Sequence, residues 1–145
     1  MKCIFLDIDG VILSWPKQNP IPNAIDAINN WLTIHSDWQI VISSSWRLEH
    51  DLATITSMLT KIGFLHSDRI QNVTPILTKE NGIPEARIKE IRAFLDTHSI
   101  EDFLVIDDQP IWIDLDDDRF HDETILERLI EVNPHRGLQS IDFEI

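Results

Sequence analysis

Apolar positions along the chain fall alternately into short unbroken runs and into stripes of helical spacing. Cys3-Ile4-Phe5-Leu6 is an unbroken run, as expected of a strand buried on both faces, and Asp7-Ile8-Asp9-Gly10 ends it. Pro16, Pro20 and Pro22 mark an irregular segment. From about Asn23 to His35, Ile25, Ile28, Trp31 and Leu32 recur at the spacing of one helical face. Trp38-Gln39-Ile40-Val41-Ile42 reads as a second buried strand that stops at Ser43-Ser44-Ser45. A helix is predicted from about Glu49 to Lys61, with Leu52, Ile55, Leu59 and Ile62 on one side and Gly63 as its stop. Ile70 to Leu77 is a weaker strand, interrupted by Pro75. Pro84 sits where the first turn of a helix tolerates it, and Ile88, Ile91, Phe94 and Leu95 form the stripe that follows. Phe103-Leu104-Val105-Ile106 is the third clear buried strand, ended by Asp107 and Asp108. An acidic loop at Asp114 to Asp118 precedes a helix from about Asp122 to Glu127, and Leu129 to Val132 reads as a last strand before Asn133-Pro134.

This alternation predicts an α/β fold, a three-layer doubly wound and mostly parallel sheet. With no internal repeat, low-complexity tract or linker, residues 1–145 are expected to form one domain. Three of the buried runs end in Asp7/Asp9, Ser43/Ser44 and Asp107/Asp108. In a parallel sheet with helical crossovers the carboxyl ends of the strands share one edge, the edge where open α/β sheets bind ligands. Groups far apart in sequence should therefore meet in one crevice.

Composition narrows the setting. With 43% hydrophobic residues the chain has enough apolar surface to fold. No apolar run approaches the roughly 20 residues that span a bilayer. The opening run meets Asp7 and Asp9 too soon to serve as a signal-peptide core. The single cysteine, Cys3, excludes an internal disulfide and points to a reducing, cytoplasmic setting without membrane attachment. Twelve basic against 25 acidic residues give a net charge of −13, a field that repels phosphate polymers unless a local basic site overrides it. The pattern carries no signal for oligomeric state.

An Asp-x-Asp pair is weak on its own in a chain with 16 Asp, and Asp114/Asp116 and Asp116/Asp118 show how readily it recurs. Asp7 and Asp9 differ in context. They end a buried strand, precede Gly10, and face a second carboxylate pair, Asp107 and Asp108, at another strand end. Carboxylates at the end of a buried strand need a partner for their charge. A hard divalent cation is the simplest match, because Mg²⁺ favours oxygen ligands and keeps positions open for phosphate and water. The six histidines lack zinc-ligand spacing. Asp114-x-Asp116-x-Asp118 fails as a calcium loop, with Arg119 where Gly is needed and Ile125 where Glu is needed.

Phe5-Leu6-Asp7-Ile8-Asp9-Gly10-Val11-Ile12 resembles motif I of the haloacid dehalogenase (HAD) superfamily, Ser43-Ser44 after Val41-Ile42 motif II, and Val105-Ile106-Asp107-Asp108 motif IV. The resemblance runs along the whole chain and is closest to the HAD domain of Swiss-Army-knife RNA-repair proteins. It rests there on Ser44-Ser45-Trp46-Arg47, the Arg87-x-x-Glu90-Ile91 helix start, the Asp-Asp strand end and Gly137-Leu138. The resemblance implies that Asp7 is a nucleophile forming an aspartyl-phosphate. It implies that Asp9 is the general acid–base, its backbone carbonyl joining Asp7 and Asp107/Asp108 around Mg²⁺. Asp108 is favoured as the direct ligand. Asp rather than Thr at position 9 is the phosphatase or phosphotransferase form. Ser44, or Ser43, would hold phosphate as motif II. Arg87 would supply the motif III positive charge, with Lys79 and Lys89 as alternatives.

Only 34 residues separate Asp9 from Ser44, too few for an inserted cap domain, and residues 62–86 hold little beyond one strand. The resemblance therefore implies a capless, open site suited to a macromolecular substrate. Arg47 is expected either to reach substrate phosphate or to lie at the surface of a helix start. Trp15 and Trp46 are expected to rim the site, and Trp31 and Trp38 to pack in the core. The leading expectation is a Mg²⁺-dependent phosphomonoester hydrolase acting on a phosphoprotein, with phosphotyrosine as one form. A nucleic-acid end or a nucleotide stands second, because the charge disfavours it. A non-catalytic phosphate-binding or interaction module and a phosphotransferase are the competing classes.

Overall fold

The computed structural model describes residues 1–80, 82, 85–109 and 122–144. Its strands are β1 (Lys2–Leu6), β2 (Trp38–Ile42), β3 (Ile70–Val73), β4 (Asp102–Asp107) and β5 (Leu129–Glu131), and its helices are α1 (Pro22–Ile34), α2 (Leu52–Lys61), α3 (Arg87–Thr97) and the short α4 (Glu123–Leu126). All strand pairs are parallel, in the order β3-β2-β1-β4-β5. The chain winds outward from β1 in one direction and then returns to build the other half through β4. The switch point of this doubly wound sheet therefore lies between β1 and β4.

The period-2 alternation of each strand divides the core in two. Ile4, Leu6, Ile40, Ile42, Leu104 and Ile106 pack on one face with α1 and α2, through Ile28, Leu32, Ile55 and Leu59. Cys3, Phe5, Val41, Phe103 and Val105 pack on the other with α3 and α4, through Ile88, Ile91, Phe94 and Ile125. Helices thus cover both faces, which is why the central strands carry no polar alternation. Each such side chain, fully buried, contributes about 1.5–3 kcal/mol. Burial also pushes the Cys3 thiol up to about 12, so it packs as an inert small hydrophobe. Trp38 is buried, and Trp31 packs partly buried against the same core.

Register brings the strand ends level. Leu6 lies beside Ile42 on one side and Ile106 on the other. The Asp7 N–H donates to the Ile106 carbonyl (3.0 Å) and the Ser43 N–H to the Leu6 carbonyl (3.1 Å). Asp7, Ser43 and Asp107 therefore stand side by side at one edge.

Three boundaries differ from the sequence reading. The second helix begins at Leu52 rather than Glu49. Residues Ser45–Leu48 form a separate 3-10 turn, and Asp51 restarts the chain by accepting a bond from the Thr54 N–H (2.8 Å). β3 stops at Val73, before Pro75, which has no N–H for the ladder. Helix α3 begins at Arg87, while Pro84 and the acidic loop Asp114 to Asp118 lie outside the described residues. Among the described residues no helix is long and apolar enough to cross a membrane. The segment between β1 and β2 holds turns and α1, and no cap domain interrupts it.

Candidate active site

Asp7 is the first residue past β1, and Asp107 is the last of β4. Asp108 follows, where the chain passes against Gly10. A Cβ on Gly10 would meet the Asp108 Oδ2 at 2.1 Å, and Gly10 has φ +81°. The motif glycine thus serves two needs at once, a left-handed turn and room for a carboxylate. One oxygen from each of Asp7, Asp107 and Asp108 lies within 4.8 Å of the others.

Arg87, at the first position of α3, leans into this group. Its guanidinium donates to Asp107 Oδ2 (2.6 Å) and lies 3.4 Å from Asp7 Oδ2. Burial, then the charge of Asp107, pushes the Asp7 carboxyl well above the ordinary carboxylate range, and Arg87 pulls it back only in part. Burial likewise raises Asp107 against the pull of Arg87. Burial disfavours the Arg87 charge too, but Asp7 and Asp107 outweigh it and hold the guanidinium above its usual value. Among the described residues, three carboxylates against one guanidinium leave two negative charges when all three are ionised, the complement of one divalent cation. Asp107 has both oxygens engaged, by Arg87 and by the Gln109 N–H (3.0 Å). Asp108 Oδ1 is buried with no hydrogen-bond partner. An orphaned carboxylate oxygen beside two crowded ones fits a cation, so the residues present suit the metal that the motif implies.

The Asp9 side chain stands just outside this cluster. Its oxygens accept bonds from Trp46 Nε1 (3.0 Å) and from Gln18 Nε2 (3.1 and 3.3 Å). Gln18 sits in a small flap closed by the Ser14 N–H to the Asn19 carbonyl (2.8 Å), and it takes a left-handed backbone, φ 56°. Sequence reasoning missed Gln18, and no signal in that proline-rich segment marks it. A cleft of about 170 Å³ brings Asp7, Asp9, Arg87 and Asp108 together with Ser45. Ser44 is buried, and its Oγ accepts from the Trp46 N–H (3.2 Å), capping the turn. Ser43 Oγ is buried without a partner. Of the three basic candidates, Arg87 lines the cleft, and Lys89 pairs with Glu85 at 3.1 Å.

Arg47 overturns both readings given to it, since it neither lines the cleft nor lies at the surface. It is buried, and it donates to the carbonyls of Thr74, Ser43, Ser44 and Pro75 and to Glu90 Oε1. Glu90, also buried, takes the Leu77 N–H on its other oxygen (2.9 Å). The pair ties the segments that follow β2 and β3 to α3, one turn along from Arg87. Trp15 lies exposed at the rim as expected, whereas Trp46 is buried with its ring N–H turned to Asp9. The closing Gly137-Leu138 returns to the motif loop, where the Leu138 N–H donates to the Val11 carbonyl (2.9 Å).

A family model described as "HAD domain in Swiss Army Knife RNA repair proteins" matches residues 3–143. No curated protein and no solved structure matches the chain.

Proposed function

The chain belongs to the family of HAD domains in Swiss Army Knife RNA repair proteins, hydrolases of the HAD superfamily, and on that premise we propose that it is a Mg²⁺-dependent phosphomonoester hydrolase working through Asp7. The observation that carries this reading is the grouping of Asp7 with Asp107, Asp108 and Arg87 at the switch point of the sheet, with Asp9 at its border. When held by Asp7, Asp108 and the Asp9 backbone carbonyl, with Asp107 as ligand or orienting neighbour, Mg²⁺ supplies the positive charge that lets a dianionic phosphate approach.

The remaining work falls to side chains. An Asp7 carboxylate oxygen attacks phosphorus, forming the aspartyl-phosphate as the bond to the leaving oxygen breaks. Asp9, as the acid, gives its proton to that oxygen. It then takes a proton from the water that attacks phosphorus, and the bond to Asp7 breaks to release inorganic phosphate. Arg87 balances charge on the transferring group. Ser44, read as motif II, is buried and Ser45 rather than Ser44 lines the cleft, so in this reading Ser44 reaches a phosphate oxygen only by donating the hydroxyl proton that its bond from the Trp46 N–H leaves unused.

The open site supports a macromolecular substrate, a phosphoprotein ahead of others, handled without membrane contact in a reducing compartment. A second reading, a nucleic-acid-end or nucleotide phosphatase, is favoured by the RNA repair proteins in which the family occurs and opposed by the net charge of −13. The test is turnover of aryl phosphates, phosphopeptides, nucleotides and phosphorylated oligonucleotides with Mg²⁺ and with chelator, alongside Asp7→Asn. The reading expects turnover that needs both Mg²⁺ and Asp7. Binding without turnover would instead mark a phosphate-binding module, and preferential transfer to added alcohols over water a phosphotransferase.

A further inference from the structure

Beyond Asp9 lies a second cleft, of about 250 Å³, that the proposed chemistry does not use. It shares Asp9, Trp15 and Ser45 with the first, so the Asp9 carboxylate forms part of the partition between them. Both side chains that grip Asp9, Gln18 and Trp46, belong to the second cleft. Asp9, the acid of the proposed chemistry, therefore stands at the boundary. The bridging oxygen of a phosphate ester attacked by Asp7 must lie at that boundary, and the group attached to the oxygen then extends into the second cleft.

Its lining defines what fits. Trp15 is 65% exposed and Leu48 50% exposed, two large apolar side chains left to water in its lining. Met58 adds a soft apolar wall, and Trp46 and His50 meet edge to face at 5.9 Å. Among the described residues the acidic groups lining it are Glu49 and Asp9, and no Lys or Arg is among the lining. Lys17, next to Gln18 in the chain, is not a lining residue. A flat apolar ring joined directly to the bridging oxygen gains contact there, whereas a second phosphate would meet the Glu49 carboxylate with no Lys or Arg among the described lining residues to offset it.

Building on the phosphatase reading, we propose that the cleft formed by Trp15, Trp46, Leu48 and His50 beyond Asp9 is a leaving-group site for an aryl group that carries no further negative charge. A phosphorylated phenol, such as the side chain of phosphotyrosine, meets that description. A polynucleotide end, whose next phosphodiester follows within a few bonds, does not.

Benzyl and ethyl phosphate test this with leaving groups of the same class, both primary alcohols. The wild type is expected to favour the benzyl ester by about tenfold or more in kcat/KM, chiefly through KM, and Trp15→Ala and Leu48→Ser to bring that ratio toward one. A phosphotyrosine peptide is expected to exceed a 5′-phosphorylated dinucleotide by a similar factor, and Glu49→Lys to narrow the gap. Binding of phenylphosphonate against methylphosphonate, read by tryptophan fluorescence with Mg²⁺ present, separates the two layers of the argument. If no ester is turned over yet phenylphosphonate binds tighter and Trp15→Ala removes the difference, the hydrolase reading falls and the aryl site stands. If esters are turned over with a benzyl-to-ethyl ratio near one that Leu48→Ser does not change, the aryl site is wrong and the hydrolase stands. Equal binding of the two phosphonates with no turnover of any ester overturns both.

Discussion

Two arginines, Arg47 in the turn after β2 and Arg87 at the start of α3, meet that helix within one turn of each other, yet their surroundings are opposite. Arg47 reaches the helix through Glu90 and is saturated, its guanidinium spread over four backbone carbonyls and one carboxylate. Arg87 opens the helix and faces a surplus, three carboxylates for one positive charge. A buried charge whose partners are complete holds a fold together. A partly buried charge that is outnumbered by buried carboxylates leaves a field for something else to satisfy. Saturation and burial therefore separate the two roles, although both arginines are ion-paired and part of the same sequence pattern.

The comparison breaks most visibly at Asp7. Asp7→Asn is expected to lower turnover by about 10⁴-fold or more, as loss of a nucleophile does, measured as kcat on an aryl phosphate. The same change removes one of the crowded carboxylates, so the metal-free protein should melt about 2–4 °C higher for each ~1 kcal/mol relieved. A lower melting temperature would mean that the acidic group is not in surplus. Glu90→Ala should do the reverse. Breaking the saturated pair leaves Arg47 buried and uncompensated, at a cost of about 3–5 kcal/mol in denaturant unfolding. A loss under about 1 kcal/mol would erase the contrast with Asp7.

Added Mg²⁺ sharpens the distinction from the other side. At a hundred times its dissociation constant it should stabilise the wild type by about 2.7 kcal/mol, seen as a shift in thermal unfolding, and Asp108→Asn should remove most of that shift. Glu90→Ala should keep the increment while starting from a lower baseline. The smallest effect is expected at the exposed margin of the same helix. Arg92 binds both oxygens of Asp122, at 2.6 and 3.0 Å, and its hydrogen bonds hold that carboxyl below its ordinary value of 3.8. A folded value depressed below the unfolded one gives stability that is complete above pH 3.8 and is lost as the pH falls through the folded value. Asp122→Asn should flatten that limb of the stability curve, which an acid titration of unfolding free energy would register.

The layout of the sheet is legible in the chain because β1, β2 and β4 are buried on both faces and read as continuous apolar runs. Their polar stops then announce the edge where Asp7, Ser43 and Asp107 meet. Arg47 was not legible. Its partners at residues 43, 44, 74, 75 and 90 come from three separate segments, and nothing local distinguishes it from an arginine at a helix surface. The start of α2 was misread for a related reason. The apolar stripe continues back through Leu48, but Asp51 caps a fresh start, and the turn before it is held by the Ser44 hydroxyl and by Arg47. Gln18 illustrates a third limit, because its value lies in a left-handed backbone that aims an ordinary amide at Asp9.

The level strand ends have a consequence for how this centre can change. Asp7 and Asp107, a hundred residues apart, are adjacent because Leu6 lies beside Ile106 in the ladder, so their spacing is inherited from backbone pairing. Substituting the side chains alters chemistry without altering position. A one-residue insertion or deletion within β1 does the opposite. It would preserve every catalytic residue type yet turn the nucleophile to the other face of the sheet, exchanging the side chains of the two core layers along the whole strand. Point mutation can thus tune this centre freely, while length variation in its central strand is closed to it.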